Sequence, residues 1–177
     1  MFSIPTIACA LLAVLAFSDL RRRRLPNATV AAFAALYFAQ AWMSGETRAA
    51  LLAHVATGVA ALVLAALLFR FGWLGGGDAK LFGAVFLWSG PAYASTVFFI
   101  VSLFGLILGL VQIAIGRMQR DAETAGALGW LAPKRGVPYG IALAAGGVAA
   151  LWLPLVPMHV LSLHLAALPL SIHARLT

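Results

Sequence analysis

The sequence predicts an all-α, polytopic membrane protein of about six transmembrane helices, with its N-terminus outside and its most basic loops at the cytoplasmic face. Of the 177 residues, 63% are hydrophobic and only 10% are charged, and the mean hydropathy is +1.00. A soluble fold of this length cannot bury so much apolar surface. The apolar residues also form several long runs, and the basic residues collect in alternate breaks between those runs.

The apolar runs set the bounds of the predicted helices, because a span needs about 20 residues to cross roughly 30 Å of hydrocarbon. We predict helices over residues 3–18, 28–43, 50–69, 79–92, 94–115 and 137–153. The spacing of Gly105 and Gly109 predicts close helix packing. The last apolar stretch, 155–172, contains Pro157 and is either a short further segment or one at the membrane interface. The chain, 1–177, is predicted to be a single transmembrane domain.

Lysine and arginine determine the predicted orientation. Alternating the spans places these residues on one side: Arg21, Arg22, Arg23, Arg24, Arg70, Lys80, Arg117, Arg120, Lys134 and Arg135. Arg48 lies on the other side. Since an excess of these residues marks the cytoplasmic face, the breaks at 20–27, 70–79 and 116–136 should be inside. Topology thus explains the net charge of +7, and we expect contact with the lipid bilayer and none with nucleic acid.

The carboxylates are few, and their positions are informative. The chain has five: Asp19, Glu46, Asp78, Asp121 and Glu123. Asp19 closes the first apolar run and Asp78 opens the fourth, so both should lie at the cytoplasmic boundary, whereas the other three fall in polar loops. An ionisable group in a membrane is costly unless it is paired or lines a wet cavity. Two such groups at one depth therefore predict a functional pair.

The chemistry that suits such a pair is amide hydrolysis. Two carboxylates that share a site hold one proton between them, so the ionised one can activate water while the protonated one polarises the carbonyl. No metal or cofactor is needed. The start of the fourth helix favours Asp78 as the base and Asp19 as the acid, or the roles are reversed. The structural alternatives are a salt bridge from Asp19 to the following arginines, and a simple turn and helix cap at 75–78.

Three motifs, in order, resemble those of the type IV prepilin peptidase family, which belongs to the GxGD class of intramembrane aspartic proteases. Asp19 precedes a basic stretch and then Leu25-Pro26-Asn27, similar to the family's Asp, basic linker and (Ile/Leu)-Pro-Asn. Gly75-Gly76-Gly77-Asp78-Ala79-Lys80 fits the family's GxGDxK. Val137-Pro138-Tyr139-Gly140-Ile141-Ala142 looks like the opening of its last helix.

The resemblance implies a leader peptidase in which Asp19 and Asp78 are catalytic and Gly75 and Gly77 shape the site. Lys80 belongs to the motif, but a lysine at a helix end can instead extend to the membrane interface, and both roles stay open. The implied substrate is a prepilin or pseudopilin precursor, cut between its basic leader and its apolar helix at the cytoplasmic boundary of the bacterial inner membrane.

The resemblance also implies a branch of the family. The long members carry an N-terminal segment with paired cysteines and also methylate the pilin, whereas this sequence has Cys9 alone. It resembles the short, peptidase-only branch that serves tight-adherence (Flp-type) pili, so no N-terminal methyltransferase segment is expected. Other pilus assembly proteins are further expected partners.

Two functions of other classes fit parts of the same pattern. A small ion or proton-coupled transporter subunit also carries intramembrane carboxylates, although these serve near the midplane. An inactive pilin-binding assembly protein would keep the fold without the chemistry. A zinc protease is not predicted, because the histidines do not form the His-Glu-x-x-His spacing.

Overall fold

A computed structural model describes residues 3–22, 24–118 and 139–155. These residues form α1 (Ile4–Arg22), α2 (Asn27–Ser44), α3 (Arg48–Arg70), α4 (Gly76–Met118), α5 (Tyr139–Trp152) and a 3₁₀ turn (Leu153–Leu155). The predicted all-α class is confirmed, and the predicted helices fall on the observed ones. Most of the predicted 116–136 loop and of the 155–172 stretch lies outside the described residues.

The fourth and fifth predicted helices are joined into one helix, α4, with a break at Gly90. Gly90 has φ 57° and ψ −176°, a conformation essentially restricted to glycine. Pro91 has no N–H to donate to the carbonyl of Leu87, four residues earlier. Nδ1 of His54, on α3, donates to that oxygen instead, at 2.9 Å. The His54 ring also lies directly against Gly90, where a Cβ would collide with it, so glycine and histidine together make the break.

The break turns α4 back along the bundle. Ile113, late in α4, lines the same cavity as Phe82, near its start. Ser89, beside the break, shares a different cavity with Glu46 and Pro154. The bundle therefore has two ends. The near end holds the start of α4, and the far end holds its break.

The first half of α4 is the centre of the bundle, where residues 81–90 are all buried. α4 packs against α2, α3 and α5, while α1 packs against α2 and α5. Gly58 on α3 and Gly83 on α4 face each other, since a Cβ at either would lie 3.1 or 3.3 Å from the carbonyl oxygen of the other. Of the two glycines predicted to pack closely, Gly105 lies against Tyr139 on α5, where a Cβ would be 3.5 Å from the ring, whereas no described atom lies within 4 Å of a Cβ at Gly109.

The outer surface of the bundle suits a bilayer. Among the described residues, three helices are long and apolar enough to cross a membrane, namely α1, α3 and the Gly76–Ala114 part of α4. Large apolar side chains such as Phe17, Phe99 and Trp42 are exposed on the outside. Helices whose backbone groups are paired internally can present such a surface to lipid. These features indicate a membrane protein, while the count of six spans and their direction stay predictions.

Candidate active site

Three segments of the chain meet at the near end: the end of α1, the turn into α2 and the start of α4. They enclose a cavity of about 300 Å³. Its lining is Asp19, Arg24, Leu25, Asn27, Gly75, Gly76, Gly77 and Asp78. The two carboxylates that the sequence singled out thus line the same cavity, although they are far apart along the chain.

Asp19 lies in the last turns of α1 and is only 6% exposed. Its Oδ2 accepts a hydrogen bond from the backbone N–H of Gly140 at 3.0 Å. Gly140 is the second residue of α5, where N–H groups have no partner within the helix and favour negative charge. A Cβ at Gly140 would lie 2.7 Å from the same oxygen, so this close approach requires glycine.

Asp78 lies in the first turn of α4 and is half-buried. Its carboxylate folds back over Gly75, where a Cβ would lie 2.6 Å from Oδ2. Gly77 leaves room for Leu25, whose Cβ would be 3.1 Å from a Cβ at Gly77. The glycines before Asp78 therefore accommodate the chain's own carboxylate and the turn into α2. Asp78 lies at the N-terminus of α4 and Asp19 contacts the N-terminus of α5, and both places favour negative charge.

The turn between α1 and α2 forms another wall of the cavity. Ser18 Oγ donates to the carbonyl of Arg24 at 2.9 Å, which closes the turn. Pro26 then caps α2 with φ −63° and ψ 124°, and Asn27 is the first helical residue. Lys80 does not line the cavity. Its Nζ donates to Oδ1 of Asn27 at 3.0 Å, so Lys80 reaches the cavity only through that amide.

The sequence analysis missed the contribution of α5. The motif at 137–142 predicts the start of a helix, but nothing in its spacing indicates that the Gly140 N–H bonds to Asp19. Arg24 was predicted only to mark the cytoplasmic face or to pair with Asp19, although it lines the cavity as well. Both contributions depend on how the helices are packed.

Comparison with protein-family models identifies the family. Residues 6–110, more than half of the chain, match the model of the type IV leader peptidase family. The chain belongs to this family. The resemblance predicted from the sequence is therefore confirmed, and the matched range includes Asp19, Asp78 and the turn into α2. Membership implies a protease that acts on prepilin leaders. Comparisons with curated proteins and with solved structures give no significant match.

Proposed function

We propose that this leader peptidase is an aspartic endopeptidase in which Asp19 and Asp78 form the catalytic pair. Its proposed substrates are Flp-type prepilins, cut between the basic leader and the apolar helix at the cytoplasmic boundary of the bacterial inner membrane. The observation that carries the proposal is the one cavity that both carboxylates line. In a family of leader peptidases, such a pair supplies the acid and the base that amide hydrolysis needs.

The proposed reaction starts with one carboxylate ionised and the other protonated. The ionised group takes a proton from water as the water oxygen bonds to the carbonyl carbon of the scissile amide. The protonated group transfers its proton to the carbonyl oxygen, so the tetrahedral intermediate carries two hydroxyl groups. The C–N bond then breaks as the leaving nitrogen takes up the proton that the first carboxylate took from water. One hydroxyl of the intermediate returns a proton to the second carboxylate, so a carboxylic acid forms and the pair again holds one proton.

The surroundings of the pair favour negative charge at both carboxylates, which therefore compete for one proton. The Gly140 N–H orients Asp19 and stabilises negative charge on its Oδ2, and the start of α4 does the same for Asp78. Because the N-terminus of one helix acts on each carboxylate, that of α5 on Asp19 and that of α4 on Asp78, we assign the shared proton to the pair as a whole. Gly75, Gly76 and Gly77 present bare backbone to the cavity, so an extended substrate chain can lie beside the carboxylates.

The proposed topology has six crossings with the N-terminus outside, so the near end lies at the cytoplasmic face of the membrane. The near end carries Arg21, Arg22, Arg70 and Lys80, at helix ends that adjoin the cavity. Such an excess of basic residues is typical of the cytoplasmic face. In a Cys9→Ser background, a cysteine at position 46 should react with a membrane-impermeant thiol reagent from outside the cell. If that cysteine does not react in intact cells, the proposed orientation is refuted.

The test of the activity is co-expression with an Flp-type prepilin or, separately, with a prepilin of the long-branch type. Gel shift and mass spectrometry report the loss of the leader. The proposal expects cleavage of the Flp-type precursor by the wild type and by neither Asp19→Asn nor Asp78→Asn. Cleavage by both variants would refute the aspartic mechanism. Cleavage of the other precursor alone would refute the Flp assignment.

A further inference from the structure

A second feature of the near end is an apolar groove of about 500 Å³ between α2 and α3, with α4 as its floor. α2 and α3 are consecutive in the chain, but among the described helices they are not a closely packed pair. The close contact of Gly58 with Gly83 holds α3 against α4 and leaves α2 apart. The space between α2 and α3 consequently opens sideways, toward the bilayer. We call it the α2–α3 groove.

One face of each helix lines the α2–α3 groove along its length. On α2 this face runs from Asn27 through Ala31 and Ala34 to Phe38, and this spacing is that of one side of a helix. With a rise of 1.5 Å per residue, the lined stretch of α2 is about 16 Å long. The groove therefore has the direction and the apolar character to hold about three turns of another transmembrane helix.

The α2–α3 groove also begins where the catalytic cavity ends. Asn27 lines both spaces. Lys80, whose Nζ holds the Asn27 amide, lines the groove as well. These two are the polar residues of the groove lining, and both lie at its end nearest to Asp19 and Asp78. A chain that leaves the cavity past Asn27 would enter the groove directly.

We propose that the α2–α3 groove binds the apolar helix of the precursor, the part that follows the scissile bond. This inference rests on the proposed function, because a cut at the junction of leader and helix requires the helix to start at the carboxylates. Lipid acyl chains share the apolar character of the groove. Only a substrate helix, however, also requires the continuity with the catalytic cavity that Asn27 provides.

A matched pair of alanines on α2 tests the groove. Ala31 and Ala32 are adjacent and both exposed, but only Ala31 lines the groove. We expect Ala31→Trp to raise the KM for the full precursor at least tenfold with kcat little changed, and Ala32→Trp to behave like the wild type. A peptide that keeps the leader and the cleavage site but lacks the apolar helix should be cut equally by all three enzymes.

Cross-linking tests the same inference without filling the groove. Val59 lines the α2–α3 groove, whereas Leu106 lines a different cavity of about 500 Å³ between α3, α4 and α5. A photoreactive amino acid in place of Val59, in the Asp78→Asn enzyme, should capture the apolar helix of the precursor. The same probe in place of Leu106 should not.

The outcomes separate the groove from the activity. The groove assignment is overturned if the probe at position 106 captures the precursor and the probe at position 59 does not. It is also overturned if the probe at position 59 captures only lipid or a second copy of the enzyme. Equal cleavage of the precursor by Ala31→Trp and Ala32→Trp overturns it too. In each of these cases, cleavage by the wild type leaves the proposed function standing. A wild-type enzyme that cuts no precursor would refute the proposed function, and the groove assignment with it.

Discussion

The two ends of the bundle hold cavities of nearly equal size, about 300 Å³ at the near end and about 290 Å³ at the far end. Both contain polar groups within an apolar bundle. At the far end, Tyr37 Oη donates to Glu46 at 2.9 Å, and the Tyr37 ring stacks on His54 with centroids 5.2 Å apart. Trp88 Nε1 donates to the carbonyl of Phe33 at 3.0 Å.

The difference lies in what the polar groups face. The far-end side chains bond to one another and to helix carbonyls, so they stabilise the break in α4. At the near end, three glycines form part of the wall, and Asp19 and Asp78 line a cavity that receives the substrate backbone in the proposed function. A buried polar cluster in a membrane protein is therefore not by itself a site. The near end differs because its carboxylates adjoin bare backbone and a groove.

The largest expected effect tests whether only the near-end carboxylates do chemistry. Asp19→Asn and Asp78→Asn should each lower the rate of leader removal by about 10³-fold or more, since either change removes the acid or the base. Glu46→Gln, the matched change at the far end, can still accept the Tyr37 hydrogen bond and should leave the rate within about twofold. Mass spectrometry of the precursor over time measures all three. Loss of activity in Glu46→Gln as large as in the aspartate variants would erase the distinction between the two ends.

The next effect concerns the bond between α5 and Asp19. In Gly140→Ala the new methyl group would meet the Asp19 carboxylate, so the carboxylate must move, and we expect about 10²-fold slower cleavage. Gly109→Ala places the same methyl group where no described atom lies within 4 Å, so it serves as the control and should cut normally. A Gly140→Ala enzyme with full activity would show that the placement of Asp19 by α5 is not needed.

A change at the far end should affect stability and not catalysis. His54→Ala removes the donor to the Leu87 carbonyl, which Pro91 cannot replace, and should lower the free energy of unfolding by about 1–3 kcal/mol. Thr57 is a control on the same helix, because its hydroxyl donates to the carbonyl of Ala53, one turn earlier in α3 itself. This bond does not connect α3 to the break in α4. Denaturation in detergent compares His54→Ala with Thr57→Ala. Equal stability of the two variants would contradict the role given to His54.

The smallest expected effect separates the two roles left open for Lys80. If Lys80 acts through Asn27, Lys80→Ala and Asn27→Ala should each slow cleavage by about threefold to tenfold, the worth of one hydrogen bond. The double variant should then be no slower than the slower single one. A Lys80→Ala enzyme with wild-type kinetics would leave the lysine as a side chain that only extends to the interface.

The sequence by itself determined the helical class and the helix positions, and it singled out the two carboxylates that line one cavity. These features are local, since the length of an apolar run sets a helix and an ionisable residue at its edge stands out. The same reasoning placed breaks at 20–27 and 70–79, and the helices end and begin there. The sequence was also sufficient to indicate the family, because its motifs keep their order.

Only the tertiary structure decided which groups meet. Gly140 donates to Asp19 across most of the chain, and His54 on α3 supplies the donor that Pro91 lacks. The spacing of Gly105 and Gly109 allows close packing but cannot name a partner, and the structure places only Gly105 against another helix, at Tyr139 on α5. A local pattern limits what a segment can do. The partner of a hydrogen bond, or of a helix face, depends on the packing of segments that are distant in the sequence.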